Sequence, residues 1–168
     1  MTFDEFVRDR LPALLRYATV VTCDPDLAQD VVQEVMLRAQ LRWRRITTTQ
    51  QPEAYVKRMV LNEFLSWRRR WSARVVPLAG PELEWATGVQ ADASSAVGER
   101  DQLVRLIAAL PPRQRAVIAL RYYENRSDEE IADLLGCRPV TVRSQLSRAV
   151  AALRVALIPP VPESQRRR

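Results

Sequence analysis

A chain of 168 residues, 47% hydrophobic and 27% charged, is too apolar for wholesale disorder and long enough for one domain or two small ones. It contains no histidine, and its only cysteines are Cys23 and Cys137. The usual zinc ligand sets and imidazole-based acid–base schemes are therefore excluded, although carboxylate chemistry is not. The net charge is +6 and Lys57 is the only lysine, so the cationic surface is almost entirely arginine. That balance favours a polyanionic partner, because guanidinium forks match phosphate and guanine geometry.

The N-terminus lacks the charged and apolar regions of a signal peptide, and no apolar run reaches the roughly 18 residues needed to span a bilayer. A cytoplasmic location without membrane insertion is expected, with no metal and no cofactor. From Phe3 to Val21, Phe3, Phe6, Val7, Leu11, Leu14, Leu15 and Ala18 recur at helical spacing, and Pro12 is expected to bend or interrupt that helix. Asp24 or Asp26 can cap a second helix from Pro25, with Leu27, Val31, Val32, Val35 and Leu37 to Ala39 as its buried stripe. Ile46 to Pro52 reads as a loop. A third helix follows from about Glu53 to Trp71, burying Ala54, Val56, Val60, Leu61, Phe64 and Leu65.

Between about Ser72 and Ser95 prolines, glycines and serines accumulate, and no long amphipathic period survives. This stretch reads as a flexible linker, acidic at Glu82, Glu84 and Asp92 where its flanks are basic. Helical periodicity resumes near Val97 and runs to Leu110, before Pro111-Pro112. Arg113 to Tyr123, Asp128 to Leu135 and Pro139 to Leu157 are the next helices, and Pro159, Pro160 and Pro162 end order. No stretch alternates with period two, so the fold class is all-α. The expected units are 1–72, a linker 73–96, a second unit 97–158 and a disordered tail 159–168. Two cores of about 65 residues each would be individually marginal, so partners are expected to help hold them.

The most specific local signal runs from Ser127 to Val142. Ser127 and Glu130 form a capping box, Ala132 is small enough for close helix crossing, and Gly136 permits a tight turn before Pro139 starts a second helix. This is the grammar of a helix-turn-helix, with Val142, Leu146, Ala149, Val150 and Leu153 facing the core. Thr141, Arg143, Ser144, Ser147 and Arg148 are left outside, where a helix N-terminal half can enter a major groove.

A second signal lies between Arg38 and Arg74, where ten basic residues meet only Glu53 and Glu63, a local excess of eight positive charges. Trp43, Tyr55, Trp67 and Trp71 are interleaved with them, which suits a surface that holds single-stranded or melting DNA by phosphate contact and stacking. For each aromatic taken singly, partial burial in a core is the better reading. A third signal is Asp30, Gln33 and Glu34, three and four residues apart and so on one exposed face. A charged helix face of this kind is commonly just solvated.

These segments together resemble a known family. Pro25 to Ile46 resembles the polymerase-binding helix of sigma region 2, and Pro52 to Trp71 the promoter-recognition helix of extracytoplasmic-function RNA polymerase sigma factors, including an Asn at position 62. Asp101 to Leu157, with Leu110-Pro111-Pro112-Arg113-Gln114-Arg115 and Thr141-Val142-Arg143-Ser144, is similar to sigma region 4, and the actinobacterial SigE-like subgroup is the nearest in pattern.

The resemblance implies that Asp30, Gln33 and Glu34 dock on the beta-prime clamp helices of core RNA polymerase, with the beta flap as a further contact. Arg58, Asn62, Arg68 and Arg69 then face the minus-10 element of promoter DNA, and Arg138, Thr141, Arg143, Ser144 and Arg148 enter the minus-35 major groove. It also implies an anti-sigma factor as a regulatory partner, which no residue of the sequence specifies. Gln145 departs from the family, in which a basic residue more often follows the Ser. No catalysis is expected of the chain itself. The alternative is a stand-alone helix-turn-helix regulator with a sensing or dimerising first half, which would need no Arg- and Trp-rich block. An enzyme acting on nucleic acid is disfavoured by the absence of a carboxylate cluster or histidine beside the basic surface.

Overall fold

The computed structural model describes residues 1–74 and 99–157, without the side chains of 68–74, 99 and 100. The predicted tail and the predicted linker beyond Arg74 therefore lie outside the described residues, residues 73–74 of that linker being instead the last of a helix, and among the described residues every regular element is a helix. Helix α1 (Phe3–Thr22) opens on a capping box, in which the Thr2 hydroxyl accepts from the Glu5 amide at 3.2 Å and the Thr2 amide donates to Glu5 Oε2 at 2.7 Å. Pro12 was expected to bend or interrupt it; α1 is not interrupted, and Pro12 lies on its exposed side. The helix ends at Cys23, whose φ of 55° is left-handed and whose amide closes on the Thr19 carbonyl at 2.8 Å.

Asp24 then caps α2 (Pro25–Leu41), accepting from the Asp26 and Leu27 amides at 3.0 and 3.1 Å, with Pro25 in the first turn where its missing N–H costs nothing. Its buried stripe is Leu27, Ala28, Val31, Val32, Val35 and Ala39. Leu37 does not belong to it: the side chain is 56% exposed, because the stripe passes from Val35 to Ala39 on the four-residue row and Leu37 falls between. A single turn, α3 (Trp43–Ile46), precedes the loop, and α4 runs from Pro52 to Arg74. Trp43 is occupied structurally, packed against Phe3 and Phe6 with its indole N–H donating to the Met1 carbonyl at 3.3 Å.

The second half comprises α5 (Glu99–Ala109), α6 (Pro112–Ile118), a π-helical turn (Ala119–Tyr123), α7 (Asp128–Leu135) and α8 (Pro139–Leu157). The single helix expected over 113–123 thus changes its winding at Ala119. In the first half α1 packs on α2 and both on α4; in the second, α6 and α7 pack on α8. The halves are not separate in their packing. Ala116, Val117, Ala119, Leu120, Ile131, Ala132 and Val142 join Phe6, Leu14, Val56, Val60, Leu61 and Phe64 in one contiguous buried cluster, and only Leu110, Ile118 and Ala149 form a smaller second one. Each large side chain fully withdrawn from water contributes about 1.5–3 kcal/mol. Two halves whose separate cores would be marginal share their apolar surface.

Candidate nucleic-acid interface

The helix-turn-helix is built by local rules that the structure makes explicit. Ser127 and Glu130 close the capping box reciprocally at 3.2 and 2.8 Å, and Arg126 reaches the same Glu130 carboxylate at 2.9 Å. The Glu130 carboxyl is held below its ordinary value, first by the Ser127 backbone N–H and then by Arg126. Gly136 sits at φ 62°, where a Cβ would meet no atom within 4 Å, so glycine is required by backbone conformation and not by space.

On α8, Arg138, Arg143, Ser144, Ser147 and Arg148 are exposed and Thr141 is half-buried. Ser144 returns its hydroxyl proton to its own helix, to the Val140 and Thr141 carbonyls at 3.1 Å. Arg143 stands 3.6 Å from Asp128, which also accepts from Arg121, so the capped helix α7 steadies a guanidinium on its neighbour. Gln145 is half-buried and turned toward the first half of the chain.

In the first half, Arg58 and Asn62 lie exposed one turn apart on α4. The side chains of Arg68 and Arg69, expected on the same surface, lie outside the described residues. Tyr55 is 36% exposed, whereas Trp67 is half-buried at a cleft of about 380 Å³ shared with Asp30, Glu34, Arg38 and Glu63. There Arg38 bridges Glu34 at 2.9 Å and the buried Glu63 at 2.5 Å. Burial works against the Arg38 charge, but hydrogen bonds to Glu63 and Glu34 outweigh it and hold the guanidinium above its ordinary value.

Asp30, Gln33 and Glu34 are all exposed on α2. They straddle two features: Asp30 and Glu34 border the cleft toward α4, and Gln33 borders an apolar groove of about 450 Å³ between α1 and α2, lined by Phe3, Val7, Leu11 and Met36. Leu37, which also lines that groove, was missed as a surface residue by sequence reasoning. Its only signal is an apolar residue lying off the buried row.

Three further residues, Arg115, Lys57 and Glu124, were not read from sequence as joining the two halves. Arg115 of α6 is buried and donates to the Thr22 carbonyl of α1 at 2.5 Å. Lys57 of α4 meets Glu124 through both carboxylate oxygens at 3.0 and 3.1 Å. A cleft of about 740 Å³ between the halves is lined on one side by Asn62, Leu65 and Ser66 and on the other by Pro111, Gln114, Gln145 and Arg148, among others.

Among the described residues no helix is long and apolar enough to cross a membrane. Residues 6–74 match the family described as Sigma-70 region 2, and residues 100–153 that described as Sigma-70, region 4. An RNA polymerase sigma-E factor of Streptomyces coelicolor is 36% identical over 94% of this chain and 87% of its own length. The ECF RNA polymerase sigma factor SigL of Mycobacterium tuberculosis is 37% identical over 86% of this chain and 82% of its own. Among solved structures, the sigma factor RpoE of Bartonella quintana, crystallised with the anti-sigma factor NepR, superposes with a TM-score of 0.65 over 92% of this chain and 96% of that one. At 24% identity that likeness speaks for the fold.

Proposed function

The chain belongs to the extracytoplasmic-function RNA polymerase sigma factors of the sigma-70 family, and from that membership we propose how its surfaces divide the work of initiation. As a sigma factor it binds core RNA polymerase and directs it to promoters, region 2 serving the minus-10 element and region 4 the minus-35 element. In our reading Asp30, Gln33 and Glu34 dock on the beta-prime clamp helices. Arg58, Asn62, Arg68 and Arg69 engage the minus-10 strand, and Arg138, Thr141, Arg143, Ser144 and Arg148 engage the minus-35 groove.

The functional units run over 1–72 and 97–158, joined by 73–96 and followed by the tail 159–168. The protein acts in the cytoplasm, catalyses nothing itself and leaves nucleotide chemistry to the polymerase. An anti-sigma factor is its regulatory partner, and the Bartonella sigma factor of the same fold was crystallised with one. The observation that carries this reading is the pairing, in one chain, of an exposed Arg58/Asn62 surface on α4 with an exposed arginine- and serine-bearing face on a capped helix-turn-helix. A stand-alone regulator would need only the second, and the match of residues 6–74 to region 2 sets that reading aside.

Run-off transcription with purified core polymerase and a genomic promoter library tests the proposal, followed by permanganate footprinting of promoter thymines. Wild type opens the promoter; Asn62→Ala and Arg68→Ala/Arg69→Ala bind core but open it poorly. Protection of duplex operators by the protein alone, as a dimer and without any promoter opening, would refute it.

A further inference from the structure

We propose that Asp128 is a specificity-determining residue of the minus-35 interface, holding Arg143 for a base edge instead of a phosphate. It touches no DNA itself and is a positioning residue, acting through Arg143. The proposal rests on reading α8 as the minus-35 helix and deepens that reading by naming a residue of α7 on which it depends.

Three elements converge at this carboxylate. Asp128 is the first residue of α7, Arg121 comes from the π-helical turn before it, and Arg143 from the exposed face of α8. Arg121 Nη2 donates to Asp128 Oδ1, and Arg143 Nη1 stands 3.6 Å from Oδ2, so each oxygen has its own guanidinium. Exposure rises outward, from 18% for the Asp128 side chain and 28% for Arg121 to 60% for Arg143. Arg121 is the anchored end. Its Nε is buried without a hydrogen-bond partner among the described residues, so the Asp128 carboxylate is what offsets the withdrawal of that guanidinium from water. Neighbouring Glu129 registers the same convergence. Its carboxyl is held below the ordinary value first by its own backbone N–H and the Ser127 hydroxyl, and then by the charges of Arg143 and Arg121. Of Arg138, Arg143 and Arg148, the arginines assigned to the minus-35 groove, Arg143 alone has a carboxylate partner among the described residues.

An unheld arginine in a DNA groove finds phosphate on both sides, and such contacts carry no sequence information. Reading a base edge is more demanding, since a guanidinium on guanine must aim two N–H groups together at O6 and N7. A fixed carboxylate behind the guanidinium limits its swing, and its negative charge opposes the phosphates that would draw Arg143 aside. Specificity is a difference between two affinities, so an acid that weakens the sequence-independent contact raises it without touching DNA. The ion pair adds little to stability, because Arg143 is mostly in solvent. Its effect belongs to recognition.

Holoenzyme assembled from the full chain and core polymerase is offered promoters of randomised minus-35 sequence and, separately, duplex DNA lacking any promoter. Asp128→Asn keeps the shape of the side chain and removes its charge. Discrimination at the position read by Arg143 should fall by about threefold or more, out of the roughly ten- to hundredfold that a bidentate contact supplies. Affinity for promoterless DNA should rise at the same time. Asp128→Glu keeps the charge and should retain more of the discrimination than Asn does. In an Arg143→Ala background, Asp128→Asn should change base preference no further. A residue that served folding alone would lower both affinities together and leave the preference among bases as it was, so movement of the two in opposite directions is the signature. Should Asp128→Asn lose helicity, Asp128→Ser takes its place. Three results each overturn the proposal while leaving the sigma reading intact: unchanged discrimination in a folded neutral variant, an effect that persists without Arg143, or an Arg143→Ala loss spread evenly over all sequences. A wild-type holoenzyme that selects no sequence from the pool refutes the sigma reading, and the proposal with it.

Discussion

Arg38 of α2 holds the carboxylate of Glu63 on α4 at 2.5 Å, and Glu63 is only 5% exposed while Arg38 keeps one flank in solvent. The pair is a buried acid covered by a surface cation. Arg38→Ala removes that cover from an acid in the core, and a buried charge that loses a counter-ion is destabilised. A loss of about 1–3 kcal/mol is expected in chemical denaturation, discounted for the exposure of Arg38. Adding Glu63→Gln should recover part of it, since a neutral amide needs no counter-ion.

The two capping boxes make part of the stability acid-sensitive. Glu5 and Glu130 both titrate below the ordinary 4.5, held first by the backbone N–H groups of Thr2 and Ser127 respectively. A lowered folded value means the folded state binds the proton less readily than the unfolded chain. The caps therefore contribute fully above about pH 4.5 and are lost as pH falls through the lowered folded values. Protection factors of the Glu5 and Glu130 amides, taken against the intrinsic exchange rate at each pH, should fall over that window before the core melts. Ser127→Ala, which deletes the acceptor at the helix start, should cost about 1 kcal/mol at neutral pH.

Arg143 projects from the exposed face of α8 and pairs with Asp128 at 3.6 Å. If it reads a base edge, Arg143→Ala relaxes preference at a single minus-35 position and costs about 1–3 kcal/mol. Selection of bound sequences from a randomised minus-35 pool checks this. A loss spread evenly over all sequences would make it a phosphate contact instead.

Asp30, Gln33 and Glu34 are exposed, and none contributes to the buried stripe of α2. Replacing all three by Ala should leave the melting temperature within a few degrees of wild type, since exposed substitutions rarely exceed about 0.5 kcal/mol each. Affinity for core polymerase should fall in a pull-down or interferometry measurement. Unchanged affinity would remove the docking assignment.

What could be read from the sequence was what neighbours along the chain decide. The Ser127–Glu130 box spans three residues, Gly136 needs nothing beyond its own backbone, and Asp24 caps the helix that begins beside it. Arg58 and Asn62 are exposed because their helix buries Val56, Val60, Leu61 and Phe64 on the other side. Reading failed where the deciding contact is remote. Arg113 and Arg115 stand in the same short motif, yet one is exposed and the other buried, because only Arg115 meets a carbonyl 93 residues away. Trp43 is partly buried, as the sequence favoured for each aromatic taken singly, although the partners that hold it, Met1, Phe3 and Phe6, could not be read from it. Pro12 leaves α1 continuous and stands on its exposed side.

The π-helical turn at Ala119–Tyr123 closes with the Glu124 amide on the Ala119 carbonyl at 3.2 Å, five residues back where an α-helix would reach four. Such a turn holds one residue more than its α-helical counterpart. Deleting a residue there would let the segment rewind as an ordinary α-turn, one revolution still being completed, so that the helices on either side keep nearly the same facing. The turn is thus a place where the chain can gain or lose one residue in the winding of a single turn while Glu124 stays against Lys57 and the helix-turn-helix keeps its aim.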